Sequence, residues 1–185
     1  NINNKIIKSF SLDYLNKIKN ISTNSEKVTD KLPINFKWIG LIRILFPNAK
    51  IIHCKRNSED ICFSIFKNFF TNKQLSFAYD LECIIKFYNM YDDLMKHWKS
   101  IIPNFIYDIN YEKIINNADS EIKNIINVCN LPWDKRCLKF YENERAIKTA
   151  SDTQARSRLY SSSINIWKNY ERYLKKSFEK INKKN

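Results

Sequence analysis

Arg56 and Ser64 are the residues whose types and spacing first suggest chemistry. Arg56 follows the run Ile51-Ile52-His53-Cys54, and Ser64 lies eight positions further on, a little over two helical turns. A guanidinium presents a planar fork of donors to a dianion, and a hydroxyl adds one more. If a helix starts near Asn57, both side chains can turn to one cleft and form half of a phosphate grip. Lys31 stands two residues before Pro33, which suits the first turn of a helix. A cation gains nothing from the dipole there, so Lys31 is either solvated or held for an anion. The polar stretch 145–163 contains Lys148, Ser151, Arg156, Arg158 and Tyr160. It reads either as an ordered loop rich in anion donors or as a plain surface loop.

Elements must exist to position these groups. The run Ile51–Cys54 follows Pro47-Asn48 and reads as a buried parallel strand. Asn57 or Ser58 caps the next helix, Glu59 and Asp60 suit its first turn, and Ile61, Ile65 and Phe69 recur at helical spacing. In open α/β sheets, ligands sit beyond the carboxyl ends of strands, near helix N-termini, and Arg56 would stand at such a place. Apolar periodicity predicts further helices over 9–21, 33–45, 77–102 (stopped by Pro103) and 122–129 (capped by Asp119 or Ser120). It also predicts a short helix around 137–141 and a last one capped by Ser163. Phe105 to Tyr111 alternates as a second strand. With a helix between the two strands, parallel pairing follows, and Tyr111 would emerge at the same sheet edge as Arg56. The lone glycine, Gly40, falls inside a helix, and His53 and His97 read as strand and surface residues rather than as bases.

The 185 residues are 44% hydrophobic, enough for one domain with a real core, so residues 1–185 read as a single domain. The formal net charge of +13 admits a basic nucleic-acid-binding module as the rival class. The lysines are scattered, however, and the one concentrated run, Lys175 to Lys184, closes the chain. Five cysteines, odd in number and never in a C-x-x-C pair, suggest neither zinc nor a disulfide framework and point to a reducing, cytoplasmic compartment. No stretch approaches the roughly 20 apolar residues of a membrane span, and no signal peptide opens the chain. Asn1 stands where an initiator Met would, which suggests an internal piece of a longer protein.

With these residues in view, the chain resembles the sulfotransferases that use 3′-phosphoadenosine-5′-phosphosulfate (PAPS). The likeness is greatest to the bacterial tetratricopeptide-associated and tyrosylprotein sulfotransferase group. It runs from about Val28 to Tyr170, through VTDKLPINF, LFPNAKIIHCKR, Ser64, INYEKI, NLPWD, and TASDTQ leading to YSSSINIWKNYE. The resemblance implies an α/β, P-loop-NTPase-like three-layer fold with a parallel sheet flanked by helices. It implies that Arg56 and Ser64 bind the 3′-phosphate of PAPS and that Tyr111 lies against the nucleotide. Lys31 would act on the transferring sulfuryl group and its bridging oxygen, with Ser151 assisting. The acceptor would be a hydroxyl or amine on protein tyrosine, a saccharide or a small molecule, with no metal, nucleic acid or membrane involved. The family's Gly-containing, Ser/Thr-rich donor loop and the acidic residue after it have no counterpart here. Ile166 stands where relatives often carry a basic residue. The expectation is therefore the C-terminal two-thirds of a catalytic domain, lacking its N-terminal strand and loop and catalytically incomplete.

The two classes separate on a polyanion column. A sulfotransferase domain with scattered lysines is expected to elute at modest salt while still binding 3′-phosphoadenosine-5′-phosphate (PAP). A nucleic-acid module would show a steep log–log salt dependence from many phosphate contacts.

Overall fold

The computed structural model describes residues 3–21, 25–70, 73–143 and 156–182. Its backbone gathers into two compact units, Asn1–Ile51 with Asp93–Ile106, and Ile52–Asp92 with Tyr107–Asn185.

The first unit opens with α1 (Asn4–Ile21), longer than its apolar period predicts. A 3₁₀ turn follows at Pro33–Trp38, with Pro33 in its first turn, and runs into α2 (Ile39–Leu45). The Ser11 hydroxyl donates to the Leu45 carbonyl at 3.1 Å, and the Tyr14 and Phe46 rings meet at 5.2 Å. Phe36, Ile39 and Met95 are its buried apolar residues. Met95 comes from the C-terminal part of α4 (Leu81–Ile101), the long helix that ends just before Pro103. The indole of Trp98 on that helix donates to the Phe36 carbonyl at 2.8 Å. Its ring lies against Gly40, which therefore sits where a side chain does not fit.

The second unit holds β1 (Ile51–Lys55) and β2 (Ile106–Asn110), paired as a two-stranded parallel sheet. The expectation of a fully buried strand fails. Ile51, Ile52 and His53 are half-buried, and Cys54 and Lys55 are exposed, because each strand has only one neighbour in this sheet. From β1 the chain enters α3 (Ser58–Lys67), whose N-cap Asn57 accepts from the Asp60 amide at 2.8 Å. The predicted apolar face of α3 is met in part, with Ile65 packed against the core. Cys62 and Phe63 are buried, whereas Phe69 lies past the helix end and is 82% exposed.

A 3₁₀ segment, Lys73–Tyr79, leads into α4. After β2 come α5 (Tyr111–Asn116) and α6 (Ala118–Val128). Asn117, rather than Asp119 or Ser120, takes the N-cap position of α6. Asp119 sits in its first turn and pairs with Lys123 instead. A 3₁₀ stretch at Lys135–Glu142 is capped by Asp134. The C-terminal segment ends in a 3₁₀ turn, Ile166–Tyr170, and α7 (Glu171–Phe178). The core of this unit joins Cys62 and Phe63 of α3, Ile84 and Ile85 of α4, and Leu174 and Phe178 of α7. Lys180 pairs with Glu82 at 2.7 Å, and the Asn182 amide donates to Asn89 at 2.8 Å.

Gly40→Ala tests the first unit. An added Cβ would lie 2.7 and 2.8 Å from carbons of the Trp98 ring, which its hydrogen bond holds in place. Overpacking of this kind costs roughly 1–3 kcal/mol and exceeds the ~1 kcal/mol gained in helix propensity. A net loss of about 1 kcal/mol is expected in urea denaturation. Adding Trp98→Leu to the Gly40→Ala variant should relieve the clash.

Candidate functional site

Arg56 and Tyr111 leave the sheet at corresponding places, one just after β1 and the other just after β2. The structure brings them together, with the guanidinium carbon 4.9 Å from the centre of the Tyr111 ring. The same guanidinium donates to the Ser163 carbonyl and lies 4.0 Å from the Asp60 carboxylate. Its Nε is buried and has no hydrogen-bond partner among the described residues. Tyr111 completes the wall, its hydroxyl 3.1 Å from the Ser163 hydroxyl and 3.4 Å from the Tyr160 carbonyl.

The turn itself is braced. The Asn57 amide donates to Glu112 at 2.8 Å, tying the β1–α3 junction to the start of α5. Asp60, fully buried, accepts the backbone amide of Asn165 at 2.7 Å and that of Trp167 at 3.4 Å. Two amides at the start of α3 are thus already engaged, by Glu112 and by the Asn57 cap.

The other sequence-predicted residues are placed separately. Ser64 is half-buried on α3, and its carbonyl accepts from Asn68 at 2.6 Å. Lys31 is exposed in the first unit, before the Pro33 turn. Ser151 lies outside the described residues. Ser163 does not cap a helix as its sequence position suggests. Asn165, left-handed at φ 59°, precedes the 3₁₀ turn, and Ser163 serves Arg56 and Tyr111 instead.

Asp60, Glu112, Ser163 and Trp167 were not singled out as site residues by the sequence. For Asp60, a signal existed in its i+4 spacing from Arg56. For Ser163, no local pattern reports a partner 107 residues away.

A second polar group lies on the sheet. His53 Nδ1 is 2.8 Å from Asp108, and Nε2 bonds the Tyr91 hydroxyl. A carboxylate only accepts, so Nδ1 carries the proton. Burial raises Tyr91 above the ordinary phenol range, so its hydroxyl keeps its proton at the contact with Nε2. Both ring nitrogens are engaged, and His53 lies on β1, as its place in the sequence predicts. His97 is exposed beside Trp98.

The family model described as "Sulfotransferase family" matches residues 4–135, more than half of the chain. This chain belongs to the sulfotransferase family. It is also 37% identical over 172 residues to an uncharacterized protein of Aquifex aeolicus (strain VF5), a match covering 92% of this chain and 23% of that protein. The chain thus spans about a quarter of that relative's length. Among the described residues, no helix is long and apolar enough to cross a membrane, and no cluster of His, Cys, Asp and Glu could hold a metal ion.

The buried phenols set an alkaline limit on this member of the sulfotransferase family. Burial, with Asp92 adding repulsion, pushes Tyr88 up to about 12 from an ordinary 10.0, and Tyr91 is raised as well. The unfolded chain therefore loses these protons first. The stability they contribute is complete below about pH 10 and falls as pH rises towards 12. Urea midpoints followed by circular dichroism between about pH 8 and 11.5 should decline above pH 10, and Tyr88→Phe should flatten the decline.

Proposed function

We propose that this domain takes part in transfer of a sulfuryl group from PAPS to a hydroxyl or amine acceptor, protein tyrosine among the candidates. The observation that carries this reading is Arg56, set at the carboxyl end of β1, stacked over Tyr111, with its buried Nε unpartnered among the described residues. A planar cation with an uncommitted donor, held against an aromatic face, suits a phosphate monoester on a nucleoside. The family membership supports PAPS as that nucleotide.

In this reading Arg56 and Ser64 take the 3′-phosphate, and Tyr111 lies against the nucleotide. Lys31, a mobile point charge, neutralises the oxygen that bridges sulfur and the leaving phosphate, and Ser151 assists there. PAPS supplies the activated sulfuryl group. The S–O bond to its phosphate breaks as a new bond forms from the acceptor oxygen or nitrogen to sulfur, the acceptor's proton passes to the leaving phosphate or to water, and PAP leaves. Such transfers need positioning and charge stabilisation more than covalent help from the protein. The two parallel strands, in this reading, belong to a larger three-layer, P-loop-like sheet, and residues 1–185 form one sulfotransferase domain acting in the cytoplasm.

Calorimetry with PAP and adenosine 5′-phosphate tests the assignment. PAP is expected to bind more tightly. Arg56→Ala should cost about 2 kcal/mol of PAP affinity, roughly thirtyfold, as loss of a charge-assisted contact does. Equal affinities for the two nucleotides would overturn the role given to Arg56 and Ser64.

A further inference from the structure

We infer that Asp60 is a positioning residue for nucleotide binding, acting by clamping the segment 160–167 against Arg56 and Tyr111. The inference rests on the phosphate site proposed above and adds a residue that touches no ligand. Asp60 is fully buried on α3. Its two carboxylate oxygens are both used on the C-terminal segment, Oδ2 by the Asn165 amide at 2.7 Å and Oδ1 by the Trp167 amide at 3.4 Å. Between those amides and Tyr160 lies Ser163, whose carbonyl takes a guanidinium proton of Arg56 and whose hydroxyl meets Tyr111.

The segment is anchored at its C-terminal end, where Ile166 and Trp167 pack on the core, and it has a backbone bond of its own from the Ile164 amide to the Ser161 carbonyl at 2.9 Å. Asp60 is the side chain that holds the turn just before that end. The segment is a run of turns, with Asn165 in the left-handed region, and helical hydrogen bonding begins only at the 3₁₀ turn and α7. A buried carboxylate that receives two main-chain N–H groups from a distant stretch is a strong local constraint, because releasing it would leave all three groups unsatisfied. Residues 160–167 also lie beyond the residues that the family model matches. The clamp therefore joins the matched part of the domain to a wall supplied from outside it.

The sign of the effect separates clamping from simple charge. Asp60 is an acidic neighbour of the proposed phosphate, so if only its charge mattered, Asp60→Asn would tighten PAP binding. As a clamp, Asp60→Asn should weaken PAP binding by about tenfold or more, leaving adenosine 5′-phosphate affinity unchanged. Asn165→Gly keeps the amide and tolerates the left-handed backbone, so it should preserve the preference for PAP.

Calorimetry of the 185-residue chain with both nucleotides reads these outcomes. Equal affinities in the unmodified chain would overturn the phosphate-site reading and this inference with it. A preference for PAP left undiminished by Asp60→Asn would overturn the role of Asp60 alone. Should Asp60→Asn fail to fold by circular dichroism, amide hydrogen exchange on the unmodified chain decides. The Asn165 and Trp167 amides are expected to be protected, with protection rising when PAP is added. Exchange as fast as in the exposed turn at Ser161-Ser162 would overturn the clamp.

Discussion

An arginine side chain that keeps only 22% of its surface in water is the constraint on which this part of the molecule depends. A charge withdrawn that far needs partners of opposite polarity, or its burial is costly. The chain supplies three: the Ser163 carbonyl, the Asp60 carboxylate and the face of Tyr111. Each comes from a different stretch of sequence, so placing Arg56 obliges β1, α3, α5 and the C-terminal turns to converge. Glu112 reinforces that convergence by accepting the Asn57 amide. What is left over, the buried Nε, is the part of the cation not consumed by the fold.

Local structure was largely legible in the sequence. The strand at 51–55, the Asn57 cap, the long helix ending at Pro103 and the second strand all follow from apolar period and punctuation. So did the meeting of Arg56 and Tyr111, because parallel pairing leaves only one edge at which both chains can emerge. The failures share a cause. Strand burial depends on how many neighbours a strand has, which no property of the strand itself reports. The buried side of α3 centres on Cys62 and Phe63, where α4 and α7 pack, with Ile65 beside them, whereas Phe69 lies past the helix end. The Ser163 hydroxyl suits a helix cap in sequence but finds Tyr111 in space, and a contact 52 residues distant outweighs a local preference.

The family match and the geometry divide the site in an informative way. Arg56, Ser64 and Tyr111 fall within residues 4–135, where the sulfotransferase model matches. Ser163 and Tyr160, which close around Arg56 and Tyr111, do not. Nucleotide sites in α/β folds are commonly framed by strand ends. In the proposed site the frame would be finished by turns near the chain's C-terminal helix, whose Leu174 and Phe178 pack in the core.

The His53–Asp108 hydrogen bond takes on a further meaning when positions along the two strands are compared. His53 lies three residues before Arg56, and Asp108 lies three residues before Tyr111. In parallel strands equal offsets reach equal heights, so the mid-sheet pair and the pair at the sheet's end are set by one register. A slip of one residue would move Arg56 along Tyr111 by about 3.3 Å and turn His53 to the opposite face, away from Tyr91. The histidine thus works as a ruler: by fixing which residue stands opposite which, it sets the height at which cation and ring meet.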